Sequence, residues 1–216
     1  MANETASNAR TRERILESAA EVFAEKGFEK ATIREIVTRA HANQNAVNYY
    51  FHDKHSLYVA VFEHAHRAHA EQDRAEFEQM QTLPPDERLR AAVRGMLLSG
   101  VMKQHAPWHA RLMVREMTEP TGVLDAVVDR LMRPRFNMLV SLVRDLAPPG
   151  TSELRVKLGA EAIVAQCLHL THAKVIVSQL IPELSFTPEG IEAMVKHIAA
   201  FSLAALRNLP REGANE

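Results

Sequence analysis

Apolar residues enter the chain at helical spacing almost at once. Ile15, Leu16, Ala19, Ala20 and Phe23 fall at the i, i+4, i+8 intervals of one helix face. Gly27-Phe28 ends the run, because glycine takes the left-handed conformation that closes a helix and the next apolar residue folds back on its last turn. Thr32-Ile33-Arg34-Glu35 has the form of a capping box, in which hydroxyl and carboxylate satisfy each other's backbone amides, and predicts a second helix from about Thr32. Its inward face is Ile33, Ile36, Val37 and Ala40, and it ends at His41-Ala42-Asn43. Asn43 suits an N-cap. A third short helix follows, with Val47, Tyr50 and Phe51 on one face and Gln44, Asn45 and Asn48 on the other. Two short helices joined by so tight a turn form a helix-turn-helix. Asp53 then caps a fourth helix that turns Leu57, Val61 and Phe62 inward and is expected to run to about Met80.

Beyond this point prolines punctuate the chain, at Pro84-Pro85, Pro107, Pro120, Pro148-Pro149, Pro182 and Pro188, and the patterns between them are helical with no period-2 alternation. Thr187-Pro188-Glu189 reads as N-cap, first-turn proline and acidic first turn of the last helix. Pro134 should kink or split the pattern from Val123 to Leu146. The expectation is an all-α chain, with a three-helix N-terminal domain over residues 1–56 and a helical domain over residues 57–216.

Composition narrows the class. Hydrophobic residues make up 46% of the 216 and charged residues 25%, the usage of a folded globular protein. The first residues carry no apolar core of a signal peptide. The longest apolar stretch, Ala162 to Ile181, is interrupted by Gln166, His169, His172 and Lys174, which make membrane insertion costly, so it reads as a buried helix. One cysteine, Cys167, excludes an internal disulfide and a thiolate cluster and fits a reducing compartment. A cytoplasmic protein without a membrane partner is expected. Net charge is −1, so nucleic acid could be held only by a local surface. Between Lys26 and His55 five cations face three carboxylates, a net of +2, with Arg10, Arg12 and Arg14 just upstream.

The third helix carries the candidate chemistry. Gln44, Asn45 and Asn48 project together from a helix pinned by Val47 and Phe51, and side-chain amides pair bidentately with adenine in the major groove. Tyr49 and Tyr50 offer hydroxyls to phosphates, and Lys54 can neutralise one. Taken alone, this face reads rather as a solvated polar surface beside buried tyrosines; the capped helix and tight turn before it favour base reading. The pattern Ile15-Leu16, Ala19-Ala20, Phe23, Gly27-Phe28, Thr32-Ile33-Arg34-Glu35-Ile36, Ala40, Val47, Tyr50-Phe51, Lys54 and Leu57 resembles the DNA-binding domain of the TetR family of one-component regulators. His41 stands where that family commonly has glycine, and Asn48 where it has an aromatic. The Asn43…Asn48-Tyr49-Tyr50-Phe51 version and the stretch from Arg111 to Pro134 are similar to the CecR-like subgroup. The resemblance implies that Arg34, Gln44 and Asn45 approach bases while Thr32, Tyr49, Tyr50 and Lys54 hold the backbone; Asn43 is grouped with this surface. It also implies a helical effector domain, a homodimer built on the last two long helices, double-stranded operator DNA as partner, and a repressor released by a small-molecule effector.

Independently, Ala160 to Ile181 is apolar nearly all round, and such a helix needs a partner beyond its own core. Trp108, His109, Met113, Met117 and Phe136, with His169 and His172 at i, i+3, are the candidate effector contacts, against the alternative that methionines and aromatics at this spacing are ordinary core. Arg111, Arg115 and Glu116 fix a polar ligand group or form a surface ion pair. The histidines lack a carboxylate at ligand spacing, so no metal and no cofactor are expected. HExxH, GxSxG, P-loop, GxGxxG and CxxC are missing, which argues against an enzyme.

Overall fold

Helices form where these patterns lie. The computed structural model describes residues 2–64, 81–101 and 107–211, with the side chains of residues 2–7, 101, 107, 109, 110, 113, 117 and 131 outside the description. The helices are α1 (Ala2–Lys30), α2 (Ile33–Arg39), α3 (Gln44–Phe51), α4 (from residue 54 to at least 64), α5 (Pro85–Val101), α6 (Pro107–Thr118), α7 (Leu124–Val127), a π-helical turn (Val128–Met132), α8 (Arg133–Leu146), α9 (Glu153–His172), α10 (Lys174–Leu180) and α11 (Pro188–Leu206). No strand occurs among the described residues. The expected continuation of α4 to Met80 lies outside them.

The chain packs as two compact units, one of residues up to Glu71 with His105–Met132, the other of Gln72–Gln104 with Arg133–Glu216. In the first, Ile15, Leu16, Ala19 and Phe23 of α1 meet Ile36 and Val37 of α2, Val47 and Phe51 of α3, Leu57, Tyr58 and Phe62 of α4 and Leu112 of α6 in one core. Each large side chain fully removed from water contributes about 1.5–3 kcal/mol. The rings interlock edge to face, Phe23 on Tyr58 at 4.7 Å and Tyr58 on Phe62 at 5.3 Å. Helix α1 breaks at Gly27, whose φ of 78° and ψ of 170° only glycine adopts at low cost.

One side chain departs from the sequence reading. Glu116 forms no surface ion pair: it is 1% exposed. Oε1 accepts from the Tyr58 hydroxyl at 2.6 Å and the Thr121 hydroxyl at 3.0 Å, and Oε2 accepts from the Thr121 amide at 3.2 Å. Burial and these contacts drive the Tyr58 hydroxyl far above its ordinary range, so it remains a donor. Arg115 instead approaches Glu119 at 3.5 Å.

In the second unit, Leu89, Val93 and Leu97 of α5 pack with Leu142 and Val143 of α8, Ala160, Ile163 and Cys167 of α9 and Ile191, Val195 and Ile198 of α11. Thr187 caps α11 by accepting from the Gly190 amide at 3.3 Å. Pro134 takes the second position of α8 just after the π-helical turn, so the pattern from Val123 splits ahead of the proline. Burial holds the Cys167 thiol up at about 12, leaving it protonated.

The stretch from Ala162 to Ile181 is not one buried helix. It breaks at Ala173, and only the Val156–Ala160–Ile163–Cys167 side of α9 is buried, because that side alone meets α5 and α8. Leu154, Leu158 and Leu168 of α9, Val175, Ile176 and Leu180 of α10 and Phe201 of α11 are exposed. No helix among the described residues is long and apolar enough to cross a membrane.

Candidate nucleic-acid interface

Backbone chemistry sets the angle of the two short helices. The Thr32 hydroxyl accepts from the Glu35 amide at 3.2 Å, which is half of the expected capping box. The other half is absent, because Lys26 takes the Glu35 carboxylate at 2.7 Å. At its other end α2 closes in a Schellman arrangement, the Ala42 amide reaching the Val37 carbonyl at 2.9 Å and the His41 amide the Thr38 carbonyl at 3.2 Å. This places His41 at φ 48°, the left-handed conformation that explains the family's glycine there. Asn43 then opens α3, its Oδ1 accepting from the Asn45 amide at 2.9 Å.

With Val47 and Phe51 buried, α3 turns Gln44, Asn45 and Asn48 into solvent together. Tyr49 is 73% exposed, while Tyr50 is half-buried and meets Tyr49 edge to face at 4.9 Å. Arg34 and Thr32 on the preceding helix are exposed as well. Two expected backbone contacts have internal partners: the Tyr50 hydroxyl donates to Asn8 Oδ1 at 3.2 Å, and Lys54 Nζ donates to the Glu29 carbonyl at 3.2 Å beneath the Phe28 ring. Arg39 is likewise held, by Glu25 at 3.0 Å and Glu21 at 3.4 Å, and it keeps the Glu25 carboxyl below its usual range. Pairing across 14 to 42 residues hid these contacts from sequence reasoning.

The expected effector residues are distributed over both units. Trp108 is half-buried against the core of the first unit, and Phe136 packs on that of the second. His169 and His172 are exposed on α9, with His172 Nδ1 3.0 Å from the Leu168 carbonyl. The side chains of His109, Met113 and Met117 lie outside the described residues. No group of three or more His, Cys, Asp or Glu side chains able to hold a metal occurs among the described residues.

A short capped helix, a tight turn and a second helix with an amide-rich outer face define a helix-turn-helix DNA-reading protein. The sequence model of bacterial regulatory proteins of the tetR family matches residues 15–61, and that of the C-terminal domain of the HTH-type transcriptional dual regulator CecR matches residues 85–206. The chain belongs to the TetR family of transcriptional regulators, with a C-terminal domain of the CecR type, and its relatives are regulators and not enzymes. It is 26% identical over 171 residues to the dual regulator CecR of Shigella flexneri, covering 73% of this chain and 74% of that one. To the transcriptional repressor NicS of Pseudomonas putida it is 42% identical over 55 residues, 26% of each protein, so the chain matches about a quarter of NicS. The fold is that of the Bacillus subtilis regulator FadR, crystallised with stearoyl-CoA, at a TM-score of 0.63 and 15% identity over 88% of this chain and 97% of that one.

Proposed function

We propose that this regulator is a cytoplasmic repressor that occupies a pseudo-palindromic operator as a homodimer and leaves it when a small-molecule effector binds. The observation that carries the reading is the common outward face of Gln44, Asn45 and Asn48 on a helix pinned from behind by Val47 and Phe51. Residues 1–56 serve DNA binding, with Arg34, Gln44, Asn45 and Asn48 toward bases and Thr32, Asn43, Tyr49, Tyr50 and Lys54 at the backbone edge, Tyr50 through the Asn8 side chain that takes its hydroxyl proton. Residues 57–216 serve dimerisation and effector binding, with Trp108, His109, Met113, Met117, Phe136, His169 and His172 as the contacts to test. NicS is named a repressor, which supports the sign of regulation, and the stearoyl-CoA on FadR supports a small-molecule effector.

The dimer finds support in the second unit. Leu154, Leu158 and Leu168, spaced at i, i+4 and i+14 on α9, together with Phe201 on α11, are 47–66% exposed in the single chain. Apolar residues repeated along one helix face at this exposure mark an interaction surface. A two-fold contact would present paired recognition helices to successive major grooves.

The test is base preference. Asn48→Ala and Gln44→Ala should each relax discrimination at one operator position by about 1–3 kcal/mol, leaving other positions as they were. An unchanged ranking of operator variants in both would remove the base-reading role from α3.

A further inference from the structure

The three arginines near the start of α1 are not equivalent. At about 100° per residue, Asn8, Arg12, Ile15 and Ala19 share one side of the helix while Arg10 and Arg14 share the opposite side. Ile15 and Ala19 are in the core, which turns the Asn8–Arg12 side toward α3. The Arg12 guanidinium lies 5.2 Å from the centre of the Phe51 ring, and the Tyr50 hydroxyl donates to Asn8 Oδ1 at 3.2 Å. Both anchors are at the C-terminal end of α3, whose outer face carries the base-reading amides.

The donors left by these contacts suit an anion. A cation–ring contact draws on the charge of the guanidinium, which carries five N–H donors. The Tyr50 hydroxyl has one proton, and Asn8 takes it, so Tyr50 cannot donate to a phosphate at the same time. The Asn8 amide, with its oxygen occupied, keeps two N–H donors. Two cations of this unit are paired with carboxylates: Lys26 with Glu35, and Arg39 with Glu25 and Glu21. Asn8 is exposed and Arg12 half-exposed.

We propose that Asn8 and Arg12 form a second phosphate-binding edge, on α1, which grips the duplex backbone beside the C-terminal end of α3. Both residues precede the stretch matched by the tetR family model, residues 15–61. The proposal rests on the operator reading above.

The experiment uses the full-length chain and a duplex recovered from a randomised library by the wild-type protein. Binding is measured across a salt series for wild type, R12Q, R12K, R10Q and N8A, each first shown to melt as wild type does. One phosphate neutralised per subunit makes the R12Q log-log salt slope less negative by about 1.8 for the dimer, with the order of operator variants unchanged. R12K, which keeps the charge, retains the wild-type slope, as does R10Q on the opposite face. N8A removes neutral hydrogen bonds, so affinity falls on the order of tenfold with no change of slope. Wild-type binding with an unmoved R12Q slope, or a slope that R10Q moves as much, overturns the α1 edge alone. N8A at wild-type affinity overturns the part given to Asn8. If wild type retains no duplex, the operator reading falls and takes this proposal with it.

Discussion

Replacing Tyr58 by phenylalanine removes one oxygen and nothing else from the core of the first unit. The ring keeps its edge-to-face contacts with Phe23 and Phe62, so no cavity opens and packing is preserved. What is lost is the 2.6 Å bond to Glu116, a carboxylate 1% exposed that water cannot reach to compensate. A hydrogen bond to a charged group contributes about 1.5–3 kcal/mol, and Thr121 still supplies two donors to the same carboxylate, which places the cost within that interval. For a chain of this size the melting temperature should fall by about 3–12 °C. Glu116→Ala should cost more, since it strands a buried hydroxyl and leaves a void. The assay is urea unfolding of both variants with wild type, read by far-ultraviolet circular dichroism. Wild-type stability in Tyr58→Phe, or a Glu116→Ala variant no weaker than it, would show that the Tyr58–Glu116 bond does not stabilise the first unit.

Two further outcomes follow from the same unit. Gly27→Ala should destabilise by about 1–3 kcal/mol in thermal unfolding, because φ 78° with ψ 170° is strained for any Cβ, and the added carbon would lie 2.6 Å from Arg115 Nη1; equal stability would show that the backbone there relaxes freely. Asp53 caps α4 by accepting from the Ser56 amide at 2.6 Å, a bond that lowers its folded-state pKa below the ordinary 3.8. A lowered pKa stabilises fully above the unfolded value and is lost as pH falls through the folded one, so wild type should exceed Asp53→Asn at pH 7 and converge with it once the pH has fallen below the lowered folded-state pKa. A gap of equal size at both pH values would assign the effect to shape and not to charge.

The helix-turn-helix was legible because its signals are local. Thr32 and Asn43 sit at their caps within three residues of the amides they accept from, and Val47 and Phe51 mark the buried side of α3 within one turn. The left-handed turn at His41 was less legible, since glycine is its usual sign and a histidine occupies it. Long-range pairing left no trace in the pattern: Glu116 is 58 residues from Tyr58, and Lys26 displaces the expected second half of the capping box. The break of α9 at Ala173 carries neither glycine nor proline, and apolarity alone could not say which residues from Ala162 to Ile181 face the single-chain core.

Whether α3 of two subunits reads DNA is tested by selection of duplexes with the purified protein, followed by a salt titration on the enriched site. Two inverted half-sites about one helical turn apart are expected, with one dimer per site and a log-log salt slope of about −4 to −7 for about four to eight neutralised phosphates. Enrichment of no sequence, or a slope near zero on the best duplex recovered, would contradict DNA reading by α3.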